Sequence, residues 1–187
     1  MNGDPIVLAM RFFLHTTESP LGPLYLATGS EGKLRGLTFS QSQLRSRLRE
    51  HYGEHTAEEA PTPADIEYAL RRYFAGELEA LRDVPVGMGG TELQRQVWAA
   101  LRAIPAGRVT SYGEIARRLG YDDPRVARDV GAANAANPIA IVVPCHRVIG
   151  KDGELKGYAW GLERKRWLLA HERVELGAGM AARLPGV

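Results

Sequence analysis

Apolar positions come in short runs over the first 40 residues and then adopt a helical period, and this change of rhythm sets the chain's organisation. Residues 11–16, 23–28 and 33–39 are aromatic or aliphatic runs. Ser19-Pro20-Leu21-Gly22 and Gly29-Ser30-Glu31-Gly32 punctuate them, and together they predict three short strands. The pattern from Ser40 to about Tyr52 predicts an amphipathic helix, and residues 53–63 read as a polar, proline-containing connector. Thr62-Pro63 then caps a helix through Phe74, with Gly76 just past its end.

Beyond residue 90 the pattern is mostly helical. Thr91 caps a helix in which Leu93, Val97, Trp98, Leu101 and Ile104 share one face, stopped by Pro105 and Gly107. Thr110 and Ser111 open a short helix with Ile115, Ala116 and Leu119 apolar, closed by Gly120. The turn Tyr121-Asp122-Asp123 leads to Pro124, placed at the first position of a third helix that runs to about Ala136. Two short helices about a tight glycine-containing turn predict a helix-turn-helix. Asn137-Pro138 ends it, since the residue before proline leaves the α region. Residues 139–143 read as extended and buried, 151–153 as a turn, and 161–173 as a last helix. The fold class expected is α/β (α+β): a small N-terminal antiparallel sheet with helices, then a mostly helical, winged-helix-like unit.

Val84-Pro85-Val86-Gly87-Met88-Gly89-Gly90 is the best linker in the chain. It divides residues 1–88, an N-terminal α/β domain, from residues 89–175, a second domain, and a Gly/Ala-rich tail at 176–187 is expected to be mobile. The charge changes sign at the same place. Residues 1–90 hold nine Lys and Arg against twelve Asp and Glu, whereas residues 91–187 hold fifteen against ten. Arg outnumbers Lys 20 to 4. A basic, arginine-rich second half suits a polyanionic partner, because the guanidinium fork matches phosphate oxygens.

With 187 residues, 44% of them hydrophobic, the chain can bury a core without staples. Its single Cys forms no intramolecular disulfide, which fits a reducing compartment. No apolar run reaches the roughly 20 residues of a membrane span. The stretch from Ile6 to Met10 lacks the basic lead-in and cleavage site of an export signal. A cytoplasmic protein without membrane association is expected.

The candidate chemistry centres on that cysteine, in Ile141-Val142-Val143-Pro144-Cys145-His146-Arg147-Val148. A free Cys is commonly a small buried hydrophobe. Here His146 and Arg147 put two potential positive charges beside the sulfur, the setting that thiolate chemistry needs. Adjacent side chains of an extended segment point to opposite faces. A bridging water, or a sharp turn after Pro144, is therefore required for His146 to serve Cys145. The imidazole also needs an orienting acceptor. Glu172 is the candidate: it shares a helical stripe with Lys165, Leu168 and Leu169, and faces inward with them. In the third helix Ala127, Gly131 and Ala135 recur every four residues. Such a smooth stripe serves either close helix packing or contact with a partner at backbone distance. Arg125 and Arg128, one turn apart, favour a phosphate-rich partner.

Taken in order, Gln94-Arg95-Gln96-Val97-Trp98, Ile104-Pro105-Ala106-Gly107, Ser111-Tyr112, Arg128-Asp129-Val130-Gly131, Asn137-Pro138, Pro144-Cys145-His146-Arg147-Val148, Gly157-Tyr158 and Leu168-Leu169-Ala170-His171-Glu172 resemble the methylated-DNA–protein-cysteine methyltransferases, the O6-alkylguanine-DNA alkyltransferases. The strong match covers about residues 91–173; the first 90 residues fit only in kind. The resemblance implies direct-reversal repair of duplex DNA carrying O6-alkylguanine, or O4-alkylthymine, in one turnover and without cofactor. The damaged base is rotated out of the stack into a pocket. It further implies that Cys145 accepts the alkyl group, that His146 and Glu172 activate it, and that Asn137 braces it. Arg128 takes the vacated place in the stack, and Tyr112 presses the target phosphate and sits near guanine N3. Gly113, Gln94, Ala127, Gly131 and Lys151 complete the DNA-binding surface. Val148, Tyr158, Ala159 and Trp160 form the substrate pocket, with the backbone around Cys145, Val148 and Ala159 reading the base edges and Trp160 at the rim. The family acts as a monomer that can assemble side by side on DNA.

Three features depart from the pattern: the longer turn at Tyr121-Asp122-Asp123, Asp129 where alanine is common, and Trp160 where glycine is frequent. Residues 1–90 contain no Cys, so the zinc ligands of some relatives are missing and no metal is expected. Three rival readings are weaker. A non-reacting DNA-binding relative typically lacks the acceptor Cys. A major-groove regulator wants long polar side chains where Ala127, Gly131 and Ala135 stand. A turnover cysteine hydrolase needs an oxyanion hole that no motif supplies.

Overall fold

The computed structural model describes residues 10–174; the expected mobile tail, 176–187, lies outside them. Three strands form where the apolar runs predict, β1 (Met10–Thr17), β2 (Leu24–Gly29) and β3 (Leu34–Thr38), paired as an antiparallel meander. Helix α1 (Gln41–Tyr52) lies against β2 and β3, and its Leu44 and Leu48 close a small cluster with Phe12, Leu14 and Ala27 on one sheet face. The chain then returns as a fourth strand, β4 (His55–Glu59), parallel to β1, giving the order β3-β2-β1-β4. This corrects the expectation of a connector at 53–63 and adds one parallel pairing to the antiparallel sheet that was expected. His-Thr-Ala-Glu-Glu carries no apolar alternation because β4 is an exposed edge strand, and polar, charged edges deter further pairing.

Helix α2 (Ala64–Phe74) covers the other sheet face, and its Ile66, Leu70 and Tyr73 enter the main core. That core also takes Leu24, Leu26, Leu34 and Leu37 from the sheet, and Val97, Trp98, Leu101, Val130 and Leu168 from the second half. It is continuous across the charge boundary. The segment at 84–90 differs from a free linker: Leu34 donates to Pro85 O and accepts from Gly87 N, both at 2.9 Å, and the Tyr52 hydroxyl donates to Gly87 O.

In the second half α3 (Glu92–Arg102) starts on a reciprocal capping box between Thr91 and Gln94. Thr110–Ser111 forms a two-residue strand, β5, before α4 (Tyr112–Arg118). Gly120, at φ +85°, makes the left-handed turn after α4. Helix α5 spans Val126–Ala135, so it begins two residues later than the expected start at Pro124. The two residues before it form a tighter first turn, with Val126 N donating to Asp123 O at 3.1 Å and Ala127 N to Pro124 O at 3.3 Å, while the Asp123 carboxylate accepts from Arg125 N at 2.9 Å and holds its guanidinium. The buried residues of α5 are Val130, Ala133 and Asn134. Ala127, Gly131 and Ala135 stay partly or fully exposed, so the smooth stripe is not the packing face of this helix.

Residues 139–143 are not extended, contrary to the reading of an apolar strand. They fold as a buried turn around the Asn137 side chain, with Ile141 at φ +66°. A β-branched residue there is strained by roughly 1–3 kcal/mol, a cost that surrounding contacts must offset. Cys145–Arg147 is one 3-10 turn, and Val148–Ile149 is a second two-residue strand, β6, parallel to β5. Helix α6 (Leu162–His171) closes the described chain. No helix among the described residues is long and apolar enough to cross a membrane.

Candidate active site

The short β5–β6 ladder brings the site together. Pairing Thr110 with Val148 places Tyr112, which starts α4, beside the turn that carries Cys145. The turn is docked in addition on the sheet, since Leu37 donates to Pro138 O at 2.9 Å and accepts from Ala140 N at 2.8 Å. Cys145 thus has one flank fixed by the helix-turn-helix and the other by β3.

Asn137 is fully buried and uses its whole amide as a brace. Its Nδ2 donates to Val143 O at 2.8 Å and to Cys145 Sγ at 3.1 Å, while Oδ1 accepts from Ile139 N at 2.9 Å. One side chain both shapes the turn and directs a donor at the sulfur. Burial pushes the Cys145 thiol up to about 11, against the opposing pull of the Asn137 hydrogen bond and of the Lys165 charge. At neutral pH the resting sulfur is therefore a thiol, and a base is needed to make it a nucleophile.

His146, next to Cys145 in the same turn, forms a buried pair with Glu172. His146 Nε2 lies 2.8 Å from Glu172 Oε1, and both side chains are fully buried. Burial by itself would raise Glu172; the His146 and Arg147 contacts override it and hold the carboxyl well below the usual carboxylate range. An ionised carboxylate can only accept, so Nε2 carries the hydrogen and Nδ1 is the basic nitrogen. Burial lowers His146 itself despite the carboxylate, which keeps the imidazole neutral at rest. Nδ1 is buried without a hydrogen-bond partner among the described residues. It does not bond the sulfur directly even though a sharp turn follows Pro144, so a proton passing from Cys145 to Nδ1 needs an intermediate carrier.

Two partners of Glu172 escape a reading of sequence alone. Arg147 does not face the sulfur; its Nε and Nη2 donate to the two carboxylate oxygens at 2.8 Å each, and Nη1 to Ile104 O. The Tyr73 hydroxyl of α2 donates to Glu172 Oε1 at 2.8 Å, across a sequence separation of 99 residues. Nothing local marks Tyr73: it sits on the apolar stripe of α2 like any core aromatic. The buried cation that raises the stability of a Cys145 thiolate is Lys165, whose ammonium donates to Val148 O at 2.6 Å and Lys156 O at 3.1 Å. Burial lowers Lys165 to about 8.

The sulfur opens on a cavity of about 310 Å³ lined by Tyr112, Gly131, Asn134, Ala135, Gly157, Tyr158 and Ala159. Tyr112 also lines an adjoining recess of about 390 Å³ with Gly113, Ala127, Lys151 and the 121–124 turn. Burial, and then the nearby Cys145, raise Tyr112, so its hydroxyl keeps its proton. Arg128 and Asp129 are exposed on the outer side of α5. Three expected site residues stand apart. Trp160 is not at the cavity rim but 4% exposed in the core, edge-on to Tyr158 at 5.2 Å and Phe39 at 6.2 Å. The side chain of Val148 is buried in β6 and does not line the cavity, so any part it takes there is through its backbone. Gln94 is held in the α3 cap, its Oε1 accepting from Thr91 N at 2.8 Å.

Similarity to known proteins extends over both halves of the chain. Residues 92–174 match the family described as 6-O-methylguanine DNA methyltransferase, DNA binding domain, and residues 13–88 match its ribonuclease-like domain. The methylated-DNA–protein-cysteine methyltransferase of Salmonella typhimurium is 46% identical over 167 residues, 87% of this chain and 96% of the relative. The chain belongs to the methylated-DNA–protein-cysteine methyltransferases. The Mycobacterium tuberculosis member is 46% identical over 161 residues, covering 84% of this chain and 90% of that one. The crystal structure of Mycobacterium tuberculosis OGT in complex with DNA superposes at a TM-score of 0.71 and 43% identity, over 86% of this chain and 92% of that chain. For this methyltransferase family, the similarity in the first 90 residues is as real as in the rest, although sequence motifs made it legible only beyond residue 91.

Proposed function

We propose that this chain repairs O6-alkylguanine in duplex DNA by moving the alkyl group, once per molecule, to the sulfur of Cys145. One observation carries the reading: a buried thiol on a cavity wall, with an Asn137 donor 3.1 Å from the sulfur and a neutral His146 oriented by Glu172.

The base must leave the stack, because an O6 substituent cannot be reached within the duplex. Helix α5 meets the minor groove, about 6 Å wide, with its smooth Ala127–Gly131–Ala135 surface, where longer side chains would hold the backbone off. Arg128 fills the gap in the stack, and Tyr112, Gly113 and Lys151 hold the displaced strand. In the pocket the Cys145 proton passes through water to His146 Nδ1, and Glu172 stabilises the imidazolium. The thiolate attacks the alkyl carbon in line. A C–S bond forms, the C–O6 bond breaks, and its electron pair goes to guanine. The Tyr112 hydroxyl meets that charge by a hydrogen bond. Guanine regains its ring proton from solvent, which balances the proton taken from the thiol. The thioether has no route to hydrolysis, so the protein is spent. No cofactor enters any step.

Residues 89–175 carry recognition and chemistry, and residues 1–88 act through Tyr73 and the β3 edge as the support that fixes the site. The protein acts in the cytoplasm as a monomer, with side-by-side assembly on DNA. The test is a count of repaired lesions per protein with excess duplex containing O6-methylguanine. A plateau at one equivalent is expected. Continued turnover would make this a hydrolase, and tight binding without repair would make it a lesion sensor.

A further inference from the structure

The last carbonyls of a helix have no intrahelical donor and must be met from elsewhere. At the end of α5, Ala132 O accepts from Ala136 N at 3.0 Å and Asn134 O from Asn137 N at 3.3 Å. Ala133 O, Ala135 O and Ala136 O have no backbone donor among the described residues, and Pro138 carries no N–H to offer them. Side chains of two other helices do so. Trp98 Nε1 of α3 donates to Ala133 O at 2.8 Å. From α1, in the other half of the chain, Arg47 Nη2 donates to Ala135 O at 2.8 Å and His51 Nε2 to Ala136 O at 3.0 Å. Arg47 and His51 stand four residues apart, on the same face of α1. Glu50 accepts from the other arm of the guanidinium, Nη1, at 2.9 Å, and the His51 ring is edge-on to Trp98 at 5.3 Å.

Helix α5 has no basic residue in its own last turn, so the partial negative charge at its C-terminus is met by Arg47 from another element. This cap sits beside the chemistry. Ala135 lines the Cys145 cavity, and Asn137, two residues on, shapes the turn and donates to the sulfur. The Arg47 charge also reaches the sulfur, where with Lys165 it opposes the upward push of burial on the thiol.

Resting on the alkyl-transfer reading above, we propose that Arg47 is a positioning residue for that reaction: by capping α5 from the first half of the chain, it fixes the junction at which the groove-facing helix becomes the turn that presents Cys145. Arg47 acts through the backbone at Ala135 and the Asn137 that follows, and takes no part in bond making. His51 is the second donor of the same cap.

Two variants of the full chain test it: Arg47→Met, which keeps an apolar stem without donor or charge, and Arg47→Lys, which keeps both. Single-turnover rates are read on duplex DNA containing O6-methylguanine and on free O6-benzylguanine. Because the junction serves Cys145 as well as α5, Arg47→Met should slow both reactions about tenfold, and Arg47→Lys should return both to within about threefold of wild type. Hydrogen exchange read by mass spectrometry supplies the local readout. In Arg47→Met, peptides from residues 132–145 should exchange faster while those from β1 to β3 keep wild-type rates. Rates within about twofold of wild type in Arg47→Met overturn the proposal. So does a loss that lysine leaves uncorrected, or one accompanied by faster exchange through the sheet, since either marks general loosening. A loss on the duplex alone would make Arg47 a DNA contact and overturns it as well. Absence of methyl transfer by the wild-type protein is a different failure, that of the alkyl-transfer reading itself.

Discussion

Glu172 accepts four hydrogen bonds from three side chains: Tyr73, His146 and Arg147, the last bidentate. Its neutral replacement therefore strands a guanidinium as well as freeing an imidazole. Breaking a buried ion pair from one side typically costs about 3–5 kcal/mol. Glu172→Gln should lower unfolding stability by that order in urea denaturation and slow alkyl transfer as well. A loss below about 1 kcal/mol would place the carboxylate in solvent. The same cluster sets a pH dependence. His146 and Glu172 both have lowered values in the folded state, from 6.5 and 4.5 when unperturbed, so the unfolded chain binds more protons in acid. Their stabilising contribution is complete above about pH 6.5; it declines as pH falls through the lowered imidazole value, and further below about 4.5. The acid limb of the single-turnover rate on a free O6-benzylguanine base should likewise fall below pH 6.5, the ordinary imidazole value. A midpoint above 6.5 would contradict a neutral resting His146. At this scale the sequence made Cys145, His146 and Glu172 legible, since rare residue types in a specific order mark them. Tyr73 stayed hidden because its partner lies 99 residues away and its own surroundings are ordinary core.

Among elements, the longer helices were legible because each carries its own signals: a capping box at Thr91, a left-handed glycine at Gly120, an apolar stripe between. Sequence and structure differ where structure is imposed from outside the segment. Strands β5 and β6 are two residues each and exist only through their mutual pairing. The apolar run at 139–143 has strand-forming residues, yet the Asn137 amide and the β3 edge bend it into a turn, a tertiary override of propensity. Its payoff is the placement of Cys145. Helix α5 offers the sharpest test at this scale, because its exposed Arg128 is assigned to the duplex alone. Arg128→Ala should slow repair in duplex DNA at least about tenfold while leaving reaction with free O6-benzylguanine nearly unchanged, read as two single-turnover rates. Equal losses on both substrates would remove Arg128 from the stack.

For the molecule as a whole, the charge reversal and glycine-rich segment near residue 88 suggest two bodies, but the contacts tie them. One core crosses the boundary, the loop before Cys145 hydrogen-bonds β3, and Tyr73 reaches Glu172. Such coupling predicts a single unfolding transition seen alike by tryptophan fluorescence, which reports Trp98, Trp160 and Trp167 in the second half, and by the circular dichroism of the sheet. Tyr73→Phe should shift that transition by about 1.5–3 kcal/mol, the range for a hydrogen bond to a charged group, without splitting it. Separate transitions would mean that the first 88 residues do not support the site. The long-range design was illegible in sequence because contact across a boundary leaves no local pattern.

The central claim is that one sulfur atom is the final acceptor of the alkyl group. Intact-protein and peptide mass spectrometry after incubation with duplex DNA containing O6-methylguanine tests it most directly. One added methyl group per molecule is expected, confined to the peptide bearing Cys145, with loss of further activity in step with the modification. An unmodified protein after repair, or a methyl group on any other residue, would contradict it.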